Sequence, residues 1–263
     1  MTVVAPRSTA FDLLRAVLVA VLAVVQIVVS GLAGSGAVGE PIAVVANSHR
    51  TPLLAAGWTF SVWTLIYLGF GAYAVFQLLP AQRGRAVHRR TGWWLAATAV
   101  FNPLWILAFG SRHLLLAELL IVALLVSLAC VFGRLSHEPV ASVVERAVFR
   151  VPIAIYTGWV SLAVVIGTAA TGAWIGLPGG GALAAAAAVA VLLAAAAIVS
   201  SVVGTGTSVV GYAAAAVWAL VGIALNGPPA AVAVAAWLAV VVVVATTTRR
   251  VARSVQPARL AWG

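Results

Sequence analysis

Eight stretches of the chain, 18 to 25 residues long, are built almost wholly from apolar side chains: 11–33, 55–79, 92–109, 113–132, 150–169, 182–203, 208–225 and 229–247. A helix needs about 20 such residues to cross a bilayer. Backbone N–H and C=O groups find no water in lipid, so only helices or closed barrels span it. None of these stretches alternates with the two-residue period of a barrel strand. The windows therefore predict an all-α integral membrane protein. Composition agrees, with 64% hydrophobic and 8% charged residues against roughly 25% charged in an ordinary soluble domain. The breaks fall at glycine- and proline-rich punctuation, "GLAGSG", "LPAQRGR", "GSRH", "GLPGGG" and "NGPPA". The run "SSVVGTGTSVVG" is the weakest break and is compatible with a bend inside one helix.

The formal charge is +10, and all fifteen basic residues are arginines. They lie between the apolar runs and form neither a basic helix face nor an aromatic-basic motif, which excludes nucleic acid as a partner. With the N-terminus on the cytoplasmic side, thirteen arginines fall in cytoplasmic segments and only Arg50 and Arg112 fall outside. That is the asymmetry of the positive-inside rule. It predicts a multi-pass protein of the plasma membrane, in contact with its lipids, with both termini cytoplasmic. The apolar run near the N-terminus exceeds the 7–15 residues typical of a secretory signal and reads as a retained first helix. Cys130 is the only cysteine, so no intrachain disulfide forms, and it reads as a small buried side chain in a helix. The four histidines, His49, His88, His113 and His137, are scattered over the connecting loops without ligand spacing, and no metal site is expected.

Residues three or four apart share a helix face. In "GWTFSVWTLIYLGFGAY", Phe60, Trp63, Tyr67 and Phe70 advance by three, four and three, forming one aromatic stripe. Trp58 precedes it at the depth where interfacial rings collect. "VFNPLWILAFG" puts Phe101, Trp105 and Phe109 on one face, with Asn102 one turn from Trp105. "RVPIAIYTGWVSLA" places Pro152, Tyr156 and Trp159 together, and Glu118 stands inside an apolar run in "LLLAELLIV". An acid in such a run either reaches for the interface or faces the bundle as a functional group. The stripe reads equally as helix packing or as the wall of a pocket for a flat ligand.

In that order, "AAGWTFSVWTLIY", "FNPLWILAFG", "LLLAELLIVALL" and "IYTGWVSLA" resemble the TspO/translocator-protein family, the tryptophan-rich sensory proteins. The resemblance covers roughly residues 10–175. It implies a five-helix bundle (1–175) around a cavity open near the membrane surface, followed by three additional transmembrane helices and a basic tail (176–263). It implies a ligand site made of Trp58, Phe60, Trp63, Tyr67, Asn102, Trp105, Glu118, Tyr156 and Trp159. The ligands implied are tetrapyrroles, porphyrin or heme-like, or sterol-like molecules, with no required cofactor and a homodimeric partner. The sequence departs from the family at Ala55 and Ala56, where prolines are usual, and at Gly167, where asparagine is frequent.

Three functions are compatible with these features. A receptor for a planar hydrophobic ligand, with a sensory or regulatory role, fits rings accompanied by a few polar groups. An enzyme that degrades porphyrin in light is the alternative the resemblance implies, although no catalytic residues are visible: there is no nucleophile–base pair and no phosphate loop. A secondary transporter would be expected to show internal repeats with matching broken helices, and none is evident.

Overall fold

Residues 8–263 are described by a computed structural model of the chain, and eight long helices carry the fold among them. They are α1 (Ala10–Gly34), α2 (Val62–Leu78), α3 (Ala86–Gly110), α4 (Leu114–His137), α5 (Val151–Trp174), α6 (Gly181–Thr205), α7 (Val209–Leu225) and α8 (Ala230–Ala252). With the turns that lead into α2 and α5 included, seven of them are long and apolar enough to cross a membrane. The exception is α7, with 17 residues. At 1.5 Å per residue it is about 25 Å long, at the short end of the spanning range.

The local sequence explains the boundaries. Helix α1 opens with a capping box, in which the Thr9 side chain accepts the Asp12 N–H and the Asp12 carboxylate accepts the Thr9 N–H. A 3-10 turn, Gly57–Ser61, leads into α2, and a π-helical turn, Arg146–Arg150, leads into α5. The "SSVVGTGTSVVG" run is a true connection: α6 ends at Thr205, Ser208 takes a left-handed conformation (φ 57°) and α7 starts at Val209.

Helix α3 starts at Ala86, a turn and a half before its apolar window. His88 therefore lies on a helix and not in a connecting loop. It is fully buried, stacked on Phe149 at 5.5 Å and with its Nδ1 3.3 Å from the Tyr73 hydroxyl. Cys130 is half-buried on α4, not buried as its helical position suggests.

Helices α1 to α5 close into a ring in the order α2–α1–α3–α4–α5, with α5 returning to α2. Helix α7 packs along the outside of α5, α8 packs on α7, and α6 packs mainly on α8. Small residues bring α5 and α7 together: Gly158 faces the Tyr212 backbone and Gly211 faces Ala154.

Both ends of the described chain lie on one face, which also carries most of the charge. Asp12 pairs with Arg15 and Arg89. Glu145 pairs with Arg85 and Arg150. Arg150 also donates to the carbonyls of Leu135 and Glu138, at 2.7 and 2.9 Å, and Arg146 donates to that of Gly263 at 2.9 Å. Buried charges are tolerated when paired and hydrogen-bonded in this way. The opposite face is covered by the segment between α1 and α2, which includes a short helix, Ile42–Ser48.

Candidate functional site

Inside the five-helix ring, Trp63 is the hub of an aromatic cluster. Its ring stacks on Tyr67 and on Trp105, both at 5.6 Å, and meets Tyr156 and Trp159 edge-on at 5.8 and 6.2 Å. Phe60 meets Trp159 edge-on at 5.9 Å, and Trp105 lies 5.8 Å from Phe109. The three-and-four spacing on α2 and the four-residue steps on α3 turn these rings toward a common centre. Offset-stacked and edge-on pairs at such distances contribute about 0.5–1.5 kcal/mol each beyond burial. The cluster is therefore well packed without a ligand.

Its polar atoms are not served equally. The Tyr67 hydroxyl donates to the Asn102 side-chain carbonyl at 3.2 Å. The indole N–H groups of Trp63 and Trp159, the Tyr156 hydroxyl and the Asn102 amide nitrogen are buried and have no partner among the described residues. Buried tyrosine and tryptophan polar groups usually find one, and an unpaired buried donor costs about 1–3 kcal/mol. Four such groups converge on one cluster.

Beside the rings lies a narrow cavity of about 30 Å³, room for about one water molecule. Phe60, Trp63, Trp105, Glu118 and Trp159 line it. Tyr67, Asn102 and Tyr156 form the layer behind, in contact with Trp63 or with each other. The structure places Trp58 elsewhere: the residue is 44% exposed, and its ring packs edge-on against Trp218 of α7 at 4.7 Å. A roomier groove of about 510 Å³ runs between α5 and α6, walled by residues such as Val164, Val165, Leu183 and Val191. It is an apolar cleft between helices and lacks the convergent polar groups that mark a specific site.

Two parts of the site are not visible as motifs. The first is a lid. Ile42, Ala46 and His49 of the α1–α2 segment line the cavity, with Thr51 and Leu54 beyond them. The lid is latched to the α3–α4 turn: Glu40 N–H donates to the Gly110 carbonyl at 2.9 Å, and Arg112 grips the Glu40 carboxylate with two bonds of 2.6 and 2.8 Å. The guanidinium beside it holds the Glu40 carboxyl below its ordinary range. The apolar periodicity of "IAVVANS" is the signal that points to this helix, but seven residues are too few to separate it from loop.

The second part is a brace from α7. Ala56 N–H donates to the Gly222 carbonyl at 3.0 Å, the Trp218 indole donates to the Thr59 carbonyl at 2.9 Å, and the Asn226 amide donates to the Leu54 carbonyl at 3.0 Å. These bonds hold the turn that presents Leu54 and Phe60 to the cavity. One of them uses the N–H of Ala56, a position where the resemblance leads one to expect a proline, which has no N–H to donate. No local pattern in residues 209–225 announces this role.

Fold and site together define a multi-pass helical membrane protein with an aromatic-lined pocket under a lid. The chain belongs to the TSPO-like protein family, whose model matches residues 16–249. The match continues past residue 175 and takes in α6, α7 and most of α8. No curated protein and no solved structure matches the chain.

Proposed function

We propose that this protein is a plasma-membrane receptor for a planar hydrophobic ligand, a tetrapyrrole such as protoporphyrin, with a sensory or regulatory role and with both termini cytoplasmic. The observation that carries the reading is the convergence of four unpartnered buried donors, on Trp63, Trp159, Tyr156 and Asn102, within one set of stacked rings. A packing cluster has no use for unpaired polar atoms, since Phe and Leu would fill the same space without the penalty. A flat ligand with acceptor atoms would pair them and replace ring–ring stacking by ring–ligand stacking. The cavity is narrow, so binding requires the rings to part and the lid to shift. The Glu40–Arg112 latch, on the surface, is well placed to release it.

Titration of the purified protein with protoporphyrin in the dark tests the reading. A saturable, stoichiometric shift of the porphyrin absorbance, stable until illumination, is expected. Absence of saturable binding contradicts it. Loss of absorbance that requires both light and protein would assign the site to degradation.

A further inference from the structure

We propose that Glu118 makes this site selective for planar ligands whose buried edge carries a cation or an N–H donor, with any carboxylates of the ligand kept outside the lid. The inference rests on the ring cluster being the ligand site.

The chain has five acidic residues. Four of them meet arginine: Asp12, Glu40, Glu138 and Glu145. Glu118, the only one that lines the cavity, has no ion pair among the described residues. Its Oε1 accepts from the Thr168 hydroxyl at 2.5 Å. That hydroxyl also lies 2.9 Å from the Val164 carbonyl, and its single hydrogen serves only one acceptor at a time. An ionised carboxylate accepts through about four lone pairs, so Glu118 retains most of its capacity.

Helix α5 is shaped to receive this side chain. A Cβ at Gly167 would stand 2.9 Å from Glu118 Oε2, so the missing side chain at 167 is what lets the carboxylate lie against α5. A carboxylate in a spanning helix is expensive, and it marks function when it faces the bundle interior. Here it lines a cavity walled mainly by rings and aliphatic side chains, with Thr51, Thr171 and the His49 imidazole as its other polar lining and no arginine. An anionic edge inserted there meets the Glu118 carboxyl oxygens and no arginine. A cationic or N–H edge meets an acceptor with free lone pairs.

The unpartnered donors supply the opposite pole. Trp159 lies eight residues before Gly167 on α5, about 12 Å deeper in the bundle. The preferred ligand is thus a flat molecule with acceptors at its deep end and a donor or positive charge near the lid.

Three flat probes of similar size test this in nanodiscs of uncharged phosphatidylcholine, with partition into empty discs subtracted: 9-aminoacridine, cationic at neutral pH; 9-methylanthracene, neutral; and 9-anthracenecarboxylate, anionic. The wild type should bind 9-aminoacridine at least tenfold more tightly than 9-methylanthracene, and the carboxylate most weakly. Glu118→Gln should reduce that preference to less than threefold. Gly167→Ala, whose methyl group displaces the carboxylate, should do the same by an independent route. A wild type without preference, or a tenfold preference that survives in both monodisperse variants, overturns the proposal. Trp63→Leu separates the two readings. If it weakens all three probes while Glu118→Gln changes no ratio, the site stands and the role of Glu118 falls. If it weakens none, the site itself falls and the proposal with it.

Discussion

Replacing Gly222 by alanine probes the brace between α7 and the turn beside the cavity. The new Cβ would stand 2.1 Å from Thr59 Cγ2 and 3.4 Å from Ala55 Cβ, whereas carbon atoms rest at about 3.5–4.0 Å. Either α7 and the turn separate by more than an ångström, or Thr59 rotates. Rotation breaks the bond from the buried Thr59 hydroxyl to the Ala56 carbonyl, 2.6 Å long. Separation breaks Ala56 N–H to Gly222 at 3.0 Å and stretches the Trp218 and Asn226 bonds. At about 0.5–1.5 kcal/mol per hydrogen bond, two or three losses amount to roughly 2–3 kcal/mol. Alanine returns about 1 kcal/mol of helix propensity, leaving a net destabilisation of roughly 1–2 kcal/mol. Unfolding titrations with dodecyl sulfate in mixed micelles measure it. Gly204→Ala on α6 is the control, because nothing lies within 4 Å of its added Cβ; it should be neutral or slightly stabilising. If Gly222→Ala is as stable as Gly204→Ala, the brace does not constrain the turn and the reasoning is refuted.

Two further outcomes follow from the charged face. Glu145 and Arg150 are buried together, and removing one partner of such a pair typically costs about 3–5 kcal/mol; Glu145→Gln should therefore shift the same unfolding titration by that order, and an unchanged midpoint would contradict the buried pairing. Since Gly263 sits against Arg146 and Arg150 on the face that also holds Asp12, reporters at the two ends should lie on one side of the membrane, and the arginine count predicts that side to be cytoplasmic; a fusion after Gly263 active only outside the cell would overturn it.

The elements that repeat a pattern were readable from residue order alone. Eight apolar windows became eight helices, because length and hydropathy suffice where lipid forbids other backbone states. The rings of α2, α3 and α5 converge as their spacing predicts, because a helix turns residues three and four apart onto one face. What was not readable depends on contacts between distant segments. His88 lies outside the apolar window of α3 and is buried by Tyr73 and Phe149, from α2 and the turn before α5. Trp58 shares its sequence neighbourhood with the stripe, yet the 3-10 turn directs it outward to Trp218. Gly167 reads as a lost polar contact until Glu118 is seen resting against it. The alanine- and valine-rich helices look featureless, and the bonds by which α7 braces the site come from one Trp, one Asn and a backbone carbonyl.

The central claim is that the rings serve a flat ligand and not only the packing of helices. Replacing Trp63 or Trp105 by leucine keeps apolar bulk but removes the flat surface, and at Trp63 it also removes an unpaired N–H. Trp63 loses two stacked partners and Trp105 one. Two or three ring contacts with a ligand at about 0.5–1.5 kcal/mol each correspond to a change in affinity of roughly ten- to a hundredfold. Protoporphyrin titrations of folded Trp63→Leu and Trp105→Leu should show Kd raised at least several-fold, while Trp237→Leu, on the outer face of α8 and 43% exposed, binds as the wild type does. Equal affinity in all three variants, at unchanged thermal stability, would show the cluster to be packing and would contradict the account.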